Sequence, residues 1–296
     1  MDFRGLFMRE RAVLFGKKKS LVSVVTEPIP VANNTKLPAI IILNAGLLHR
    51  VGPNRLHVKI ARKLANVGFT VLRFDFSGNG DSNARDDNIP FEQSAIDETQ
   101  DAMDYLTYDK HIDKFILVGI CSGADVAIRM VCCDNRVIGA IGINGFYLDG
   151  NISKELHADI ARSTKSRYYH KHLFNYKSWW RLITGKSGFR NIIMFLTAKA
   201  KGLFAKNGQL LQRTHFSIIA QLLTRCNANL LLVYSEGSPA LDTFQLVHRK
   251  EIDTLASSKK LSIKIVKHCD HVFTLLESQN TLMDLIYKWT ANKQRS

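Results

Sequence analysis

The sequence predicts an α/β protein: a mostly parallel central sheet flanked by helices, with a helical cap inserted between late strands. Three observations carry that reading. Between residues 38 and 144, apolar strand-like runs alternate with amphipathic stretches of helical length. The alternation stops at about Phe146 and resumes at Asn229, leaving 147–226 as a segment of different composition. Finally, the run Phe115-Ile-Leu-Val-Gly119-Ile-Cys121-Ser122-Gly123-Ala124 passes from an apolar strand into a helix through a small-x-Cys-x-small turn.

The elements follow in order. Ala12 to Thr26 reads as a hairpin, two apolar runs turning at Gly16-Lys-Lys-Lys-Ser20. Pro38 to Asn44 is a buried strand, followed by a Gly-containing loop and an amphipathic helix from about Asn54 to Asn66. Phe69 to Asp75 is the next strand, and its Gly-rich continuation, Asp75 to Ser82, lacks the lysine and spacing of a P-loop. That stretch is therefore read as a structural turn. Pro90 to Tyr108 is an amphipathic helix, and a further helix spans Asp125 to Val131. Val137 to Asn144, Asn229 to Tyr234 and Leu261 to Val266 are strands, and a helix from His271 to Ala291 closes the chain. The expected units are a core of 1–146 and 227–296 and a cap of 147–226.

Composition narrows the function classes. At 296 residues and 46% apolar, the chain is long enough for one large domain with an insertion. No apolar run approaches the length that spans a bilayer, and the first twenty residues lack a signal-peptide core. Five cysteines, at 121, 132, 133, 226 and 269, have neither disulfide-framework nor zinc spacing, so no metal or cofactor is expected. A cytoplasmic location, peripheral to a membrane at most, fits these features. Charge is concentrated: residues 160–235 hold thirteen Lys or Arg and no Asp or Glu, against a net +15 for the chain. The same segment is rich in aromatics, among them Tyr168, Tyr169, Trp179 and Trp180. It suits an acidic partner such as an acylated anionic carrier or an anionic membrane surface. It resembles no nucleic-acid recognition motif.

Chemistry points to the Cys121 turn. Gly119 and Gly123 flank Cys121 symmetrically, which puts the thiol rather than the Ser122 hydroxyl at the apex of a nucleophile elbow. Such a thiol needs a base, an orienting group and oxyanion donors. His271, just after the last strand, is the candidate base. A neighbouring imidazole and a helix start are expected to lower the thiol's pKa. The oxyanion donors would be the backbone amides of Ser122 and of Leu47, in the loop opened by Gly46. The orienting acid stays open among Asp242, Glu236 and Asp149.

The stretches 44–55, 71–82 and 119–127, with Tyr234-Ser-Glu-Gly237 and Asp270-His-Val-Phe-Thr274, resemble the α/β-hydrolase superfamily over nearly the whole chain. They are most similar to hydrolases found beside exopolysaccharide and exosortase genes, in the serine aminopeptidase-like branch. The resemblance implies Cys121 as nucleophile, His271 as base, Leu47 and Ser122 as oxyanion donors, and 147–226 as a cap. Most members carry Ser where Cys121 stands, although lactone-cleaving relatives use Cys. Where relatives tend to carry Asp, this chain has Ser238, so Asp242 takes the role by proximity. The expected activity is acyl transfer or hydrolysis of an ester or thioester on a small molecule or acylated carrier. The alternative is a hydrolase fold kept as a binding or assembly protein at a membrane or polysaccharide machinery.

Overall fold

The computed structural model describes residues 8–29, 37–146, 227–245 and 260–292. The expected cap, with Asp149, lies outside the described residues. Eight strands form one sheet: β1 (Met8–Phe15), β2 (Leu21–Pro28), β3 (Ala39–Leu43), β4 (Val71–Phe74), β5 (Phe115–Ile120), β6 (Val137–Ile143), β7 (Asn229–Ser235) and β8 (Leu261–Val266). Their spatial order is β1-β2-β4-β3-β5-β6-β7-β8. The β1–β2 hairpin is antiparallel and β2 meets β4 antiparallel, while every pair from β4 to β8 is parallel.

The inner parallel strands β3, β5, β6 and β7 have no polar face because helices cover both sides. In β3, Ile40 and Ile42 pack on one side, with α1 (Leu56–Ala65) and the closing helix, through Leu56, Ile60, Leu64, Leu282 and Ile286. Ile41 and Leu43, pointing the other way, pack with α2 (Phe91–Lys110) and α3 (Ser122–Cys133), through Met103, Leu106, Ala127 and Met130. One strand thus feeds two cores, which a period of two demands. Residues 239–245 are helical and lay Phe244 against Tyr234, ring centroids 4.6 Å apart.

Several boundaries differ from expectation for local reasons. The hairpin strands run further, to Met8 and Pro28, since backbone pairing continues past the apolar residues. A short 3-10 turn at Pro53–Arg55 precedes α1. The closing helix, α4 (Leu276–Asn292), starts five residues after His271 rather than at it. There Asp270 accepts bonds from the Thr274 N–H at 2.8 Å and the Thr274 hydroxyl at 2.6 Å, and Gln279 Nε2 donates to the Phe273 carbonyl at 2.8 Å. These side chains hold a folded loop where helix would otherwise begin.

Registry places the site. Leu43 pairs with Gly119, Ile120 with Ile143, Ile143 with Val233, and Ser235 with Val266. The loops that follow β3, β5, β6, β7 and β8 therefore leave the sheet along a single edge, its carboxyl end. Open α/β sheets place ligands at that edge.

Candidate active site

Cys121 sits between β5 and α3 with φ 55° and ψ −121°, a conformation that L-residues rarely adopt. Its amide donates to the Ile143 carbonyl at 2.9 Å, and its carbonyl accepts from the Ala124 N–H at 2.9 Å. The strand end and the first helical turn together force the strain. No side chain fits at the flanking glycines: a Cβ on Gly119 would run into the Gly123 carbonyl, and one on Gly123 into that of Asn44. The adjacent hydroxyl has a different task. Ser122 Oγ accepts from the Gly46 N–H at 2.9 Å, tying the loop after β3 to the elbow.

That loop is a turn closed by the Leu48 N–H donating to the Ala45 carbonyl at 3.1 Å. Leu47 lies at its tip, 91% exposed. Beneath it a polar cluster fixes the backbone. Buried Asp75 accepts from the Arg50 amide and guanidinium and from the Asp81 N–H at 3.1 Å. Asn44 donates to the Leu48 carbonyl at 2.6 Å, and Asn79 to that of Gly46 at 3.1 Å. The Gly-rich stretch after β4 is thus a structural turn, packed around Asp75 so closely that a Cβ on Gly80 would meet that carboxylate.

His271 is half-buried, and its Nδ1 lies 2.8 Å from Ser238 Oγ. Ser238 itself is buried, 1% exposed. The orienting bond expected from Asp242 is therefore made by Ser238. Ser238 opens the turn directly after β7, whereas Asp242 is one helical turn further along, in 239–245. Glu236, the second candidate, has its Oε2 accepting from the His268 amide at 3.0 Å. Burial holds the imidazole of His271 below its ordinary pKa, against a smaller upward pull from Asp270.

Asn144 is a bridging residue of this candidate site that sequence reasoning missed. It follows β6 with φ 51°, fully buried, and donates to the His271 carbonyl at 2.7 Å and to Ser235 Oγ at 3.1 Å. Its own Oδ1 accepts from the Ser235 N–H at 2.8 Å. Ile143 and Asn144, consecutive in the chain, thus hold Cys121 through its amide and His271 through its carbonyl. An Asn at a strand end is an ordinary turn signal, so its sequence offered no hint of this bridge.

The thiol differs from expectation. Burial pushes its pKa up, a bond from the Ser122 backbone N–H pulls it down less, and Asp125 raises it further. The helix start acts as foreseen, but desolvation outweighs it. Among the described residues no group of three or more His, Cys, Asp or Glu is placed to hold a metal ion.

With elbow, loop and histidine on one sheet edge and the strand order above, the architecture is decided. The fold is that of the α/β hydrolases. A model of the Dienelactone hydrolase family matches residues 26–167, which include the elbow and the loop after β3. An esterase from Pyrococcus furiosus is similar to this α/β-hydrolase-fold chain at 14% identity and TM-score 0.57, over 98% of this chain and 94% of that one. A dienelactone hydrolase from Anabaena variabilis is similar at 13% identity and TM-score 0.52, over 97% and 98%. An alpha-beta serine hydrolase homologue from Coxiella burnetii gives 14% and 0.52, over 94% and 96%. No curated protein matches the sequence. No helix among the described residues is long and apolar enough to cross a membrane.

Proposed function

We propose that this protein is an acyl hydrolase that cleaves an ester or thioester through a covalent Cys121 intermediate. The observation that carries the reading is the strained backbone at Cys121, between two glycines that admit no side chain. Strain of that kind persists only where the surrounding structure over-determines it, and it clusters at reactive sites. His271 is the base, and the amides of Ser122 and Leu47 are the oxyanion donors. The Ser122 N–H already points at Sγ, and the Leu47 N–H lies outside the bond that closes its turn.

In the first step Sγ–H gives its proton to His271 Nε2 while sulfur bonds to the acyl carbon and the carbonyl π pair moves to oxygen. The two amides hold that oxyanion. Collapse returns the pair, breaks the bond to the leaving group, and Nε2 hands its proton to the departing oxygen or sulfur. Water, activated by the same nitrogen, then releases the acid. An acceptor alcohol or thiol in place of water would make the enzyme an acyltransferase.

The basic, aromatic segment 147–226 supports an acyl donor on an anionic carrier, with an anionic membrane surface as a second source of such groups. The Dienelactone hydrolase match adds cyclic esters to the donors worth trying. Intact-protein mass after brief exposure to lactones, short and long activated esters, and thioesters tests the proposal. A one-acyl gain is expected that requires Cys121 and turns over only with His271. No adduct on the wild type with any donor would sink it.

A further inference from the structure

Cysteine is among the residue types most often buried in proteins, yet two stand side by side on the surface of this one. Cys132 and Cys133 are the last two residues of α3, and both are exposed. The helix buries Ala124, Ala127, Ile128 and Val131 in the core. Residues 125, 129, 132 and 133 share the outward face, the place where a helix ordinarily carries charge, as Asp125 and Arg129 do there. Twelve residues make about 18 Å of helix, so the pair is remote from Cys121 at the other end. It lies at the amino edge of the sheet, where α3 leads into β6. The other described thiols are placed differently. Burial raises the pKa of Cys121 and of Cys269, and neither has a second cysteine beside it in the chain.

Geometry decides what two such sulfurs can hold. A disulfide needs sulfurs about 2.05 Å apart and Cα atoms usually about 4.4–6.8 Å apart. Neighbouring Cα atoms are only about 3.8 Å apart, and consecutive helical side chains diverge by about 100°. The pair therefore cannot close on itself while the last turn of α3 stands. That turn is intact, since the Asp134 N–H donates to the Met130 carbonyl at 3.0 Å. An ion between the sulfurs relaxes the demand. With metal–sulfur bonds of about 2.3 Å, a linear bridge sets the sulfurs roughly 4.6 Å apart. Among the described residues, an ion that wants three or four protein ligands finds no such group. A soft ion satisfied by two thiolates is the class that fits, and Cu(I) is the biological metal of that kind. The partial negative charge of the helix C-terminus favours a cation there.

We propose that Cys132 and Cys133 form a two-coordinate site for a soft monovalent ion, Cu(I), at the end of α3. Binding replaces two S–H bonds with two Cu–S bonds. Both protons pass to water, copper stays Cu(I) and no electron is transferred. The bound unit carries one negative charge, and Arg129, three and four residues back on the same face, offsets it. The site is separate from the acyl chemistry proposed for Cys121 and holds whether or not that reading does.

The test titrates the reduced full chain with Cu(I) under nitrogen against bathocuproine disulfonate, whose coloured complex reports the copper that the protein does not hold. The wild type is expected to withhold one Cu(I) per chain. Cys132→Ser and Cys133→Ser are each expected to release it to the chelator, because a single thiolate cannot chelate. Cys121→Ser and Cys226→Ser are expected to keep it. Native mass is expected to show copper added without any change in the number of chains. Should either site variant not fold by circular dichroism, alkylation mapping of the wild type decides: Cu(I) is expected to protect the peptide that holds both cysteines. No copper withheld by the wild type, copper kept by a folded site variant, loss of copper in Cys121→Ser or Cys226→Ser, no protection of that peptide, or copper-driven joining of chains would each overturn the inference.

Discussion

Cys121 shows how a single residue is strained for its position. A side chain at φ 55°, ψ −121° costs on the order of 1–3 kcal/mol, and only glycine is at ease there. Removing the thiol should therefore reverse the usual order of Ala and Gly. Cys121→Gly is expected to be more stable than Cys121→Ala by about 1 kcal/mol, although glycine ordinarily loses to alanine through unfolded-state entropy. Urea unfolding of the two variants measures this, and an Ala variant as stable as the Gly one would mean an unstrained elbow. His271 is the second case at this scale. Its imidazole, depressed by burial, stays a neutral base at pH values where a free histidine would be half charged.

At the scale of elements, the loop after β3 and the turn after β4 act as one unit. Asp75 is fully buried and takes bonds from Arg50, whose guanidinium also reaches Asp81 at 2.7 Å. Losing one partner of a buried pair leaves an uncompensated charge, a larger loss than the pair's net worth. Arg50→Met is expected to destabilise the protein by about 3 kcal/mol. Because the same bonds fix the turn that carries Leu47, acyl transfer should fall further than Cys121 alkylation does. Arg50→Lys would not recover the loss, since a point charge cannot span two carboxylates as a planar fork does. Equal losses in both assays would show that the loop has no part in the chemistry.

For the whole molecule, the decisive liability is a histidine that has no role in the site. His57 on α1 is completely buried, and among the described residues neither ring nitrogen makes a hydrogen bond. Burial, with smaller effects from Arg73 and His49, pushes its pKa down to about 3 against a weak opposing effect of the Arg50 backbone. The sign follows directly. The folded protein holds His57 neutral while the unfolded chain protonates it near pH 6.5, so stability is full above that value and falls as pH drops toward 3. The loss over that window is on the order of 4 kcal/mol. Replacing the ring with a hydrocarbon, His57→Leu, is expected to flatten the dependence. Urea midpoints at pH 7, 5 and 4 compare the two proteins, and parallel curves would refute the assignment.

Much of this architecture was legible in the chain. Alternating apolar strands and amphipathic helices gave the parallel sheet because a strand buried on both faces must be apolar throughout, as in Ile40, Ile41 and Ile42. The pair Gly119 and Gly123 marked the elbow because a tight strand-to-helix turn leaves no room for Cβ atoms. Those are local constraints, and a linear sequence records local constraints well. The partner of His271 is a different kind of fact. Asp242 and Ser238 stand four residues apart after the same strand, and residue type favoured the carboxylate. Which one meets Nδ1 depends on where the turn after β7 faces the loop after β8, and that is set by strand registry and by Asn144 between them. The direction in which the thiol's pKa moves was likewise decided in three dimensions, because desolvation depends on what packs around a group. Sequence determined the sheet, the elbow and the thiol at its apex; tertiary packing decided which hydroxyl meets His271 and how the end of β6 ties that loop to the elbow, since those contacts join residues distant in the chain.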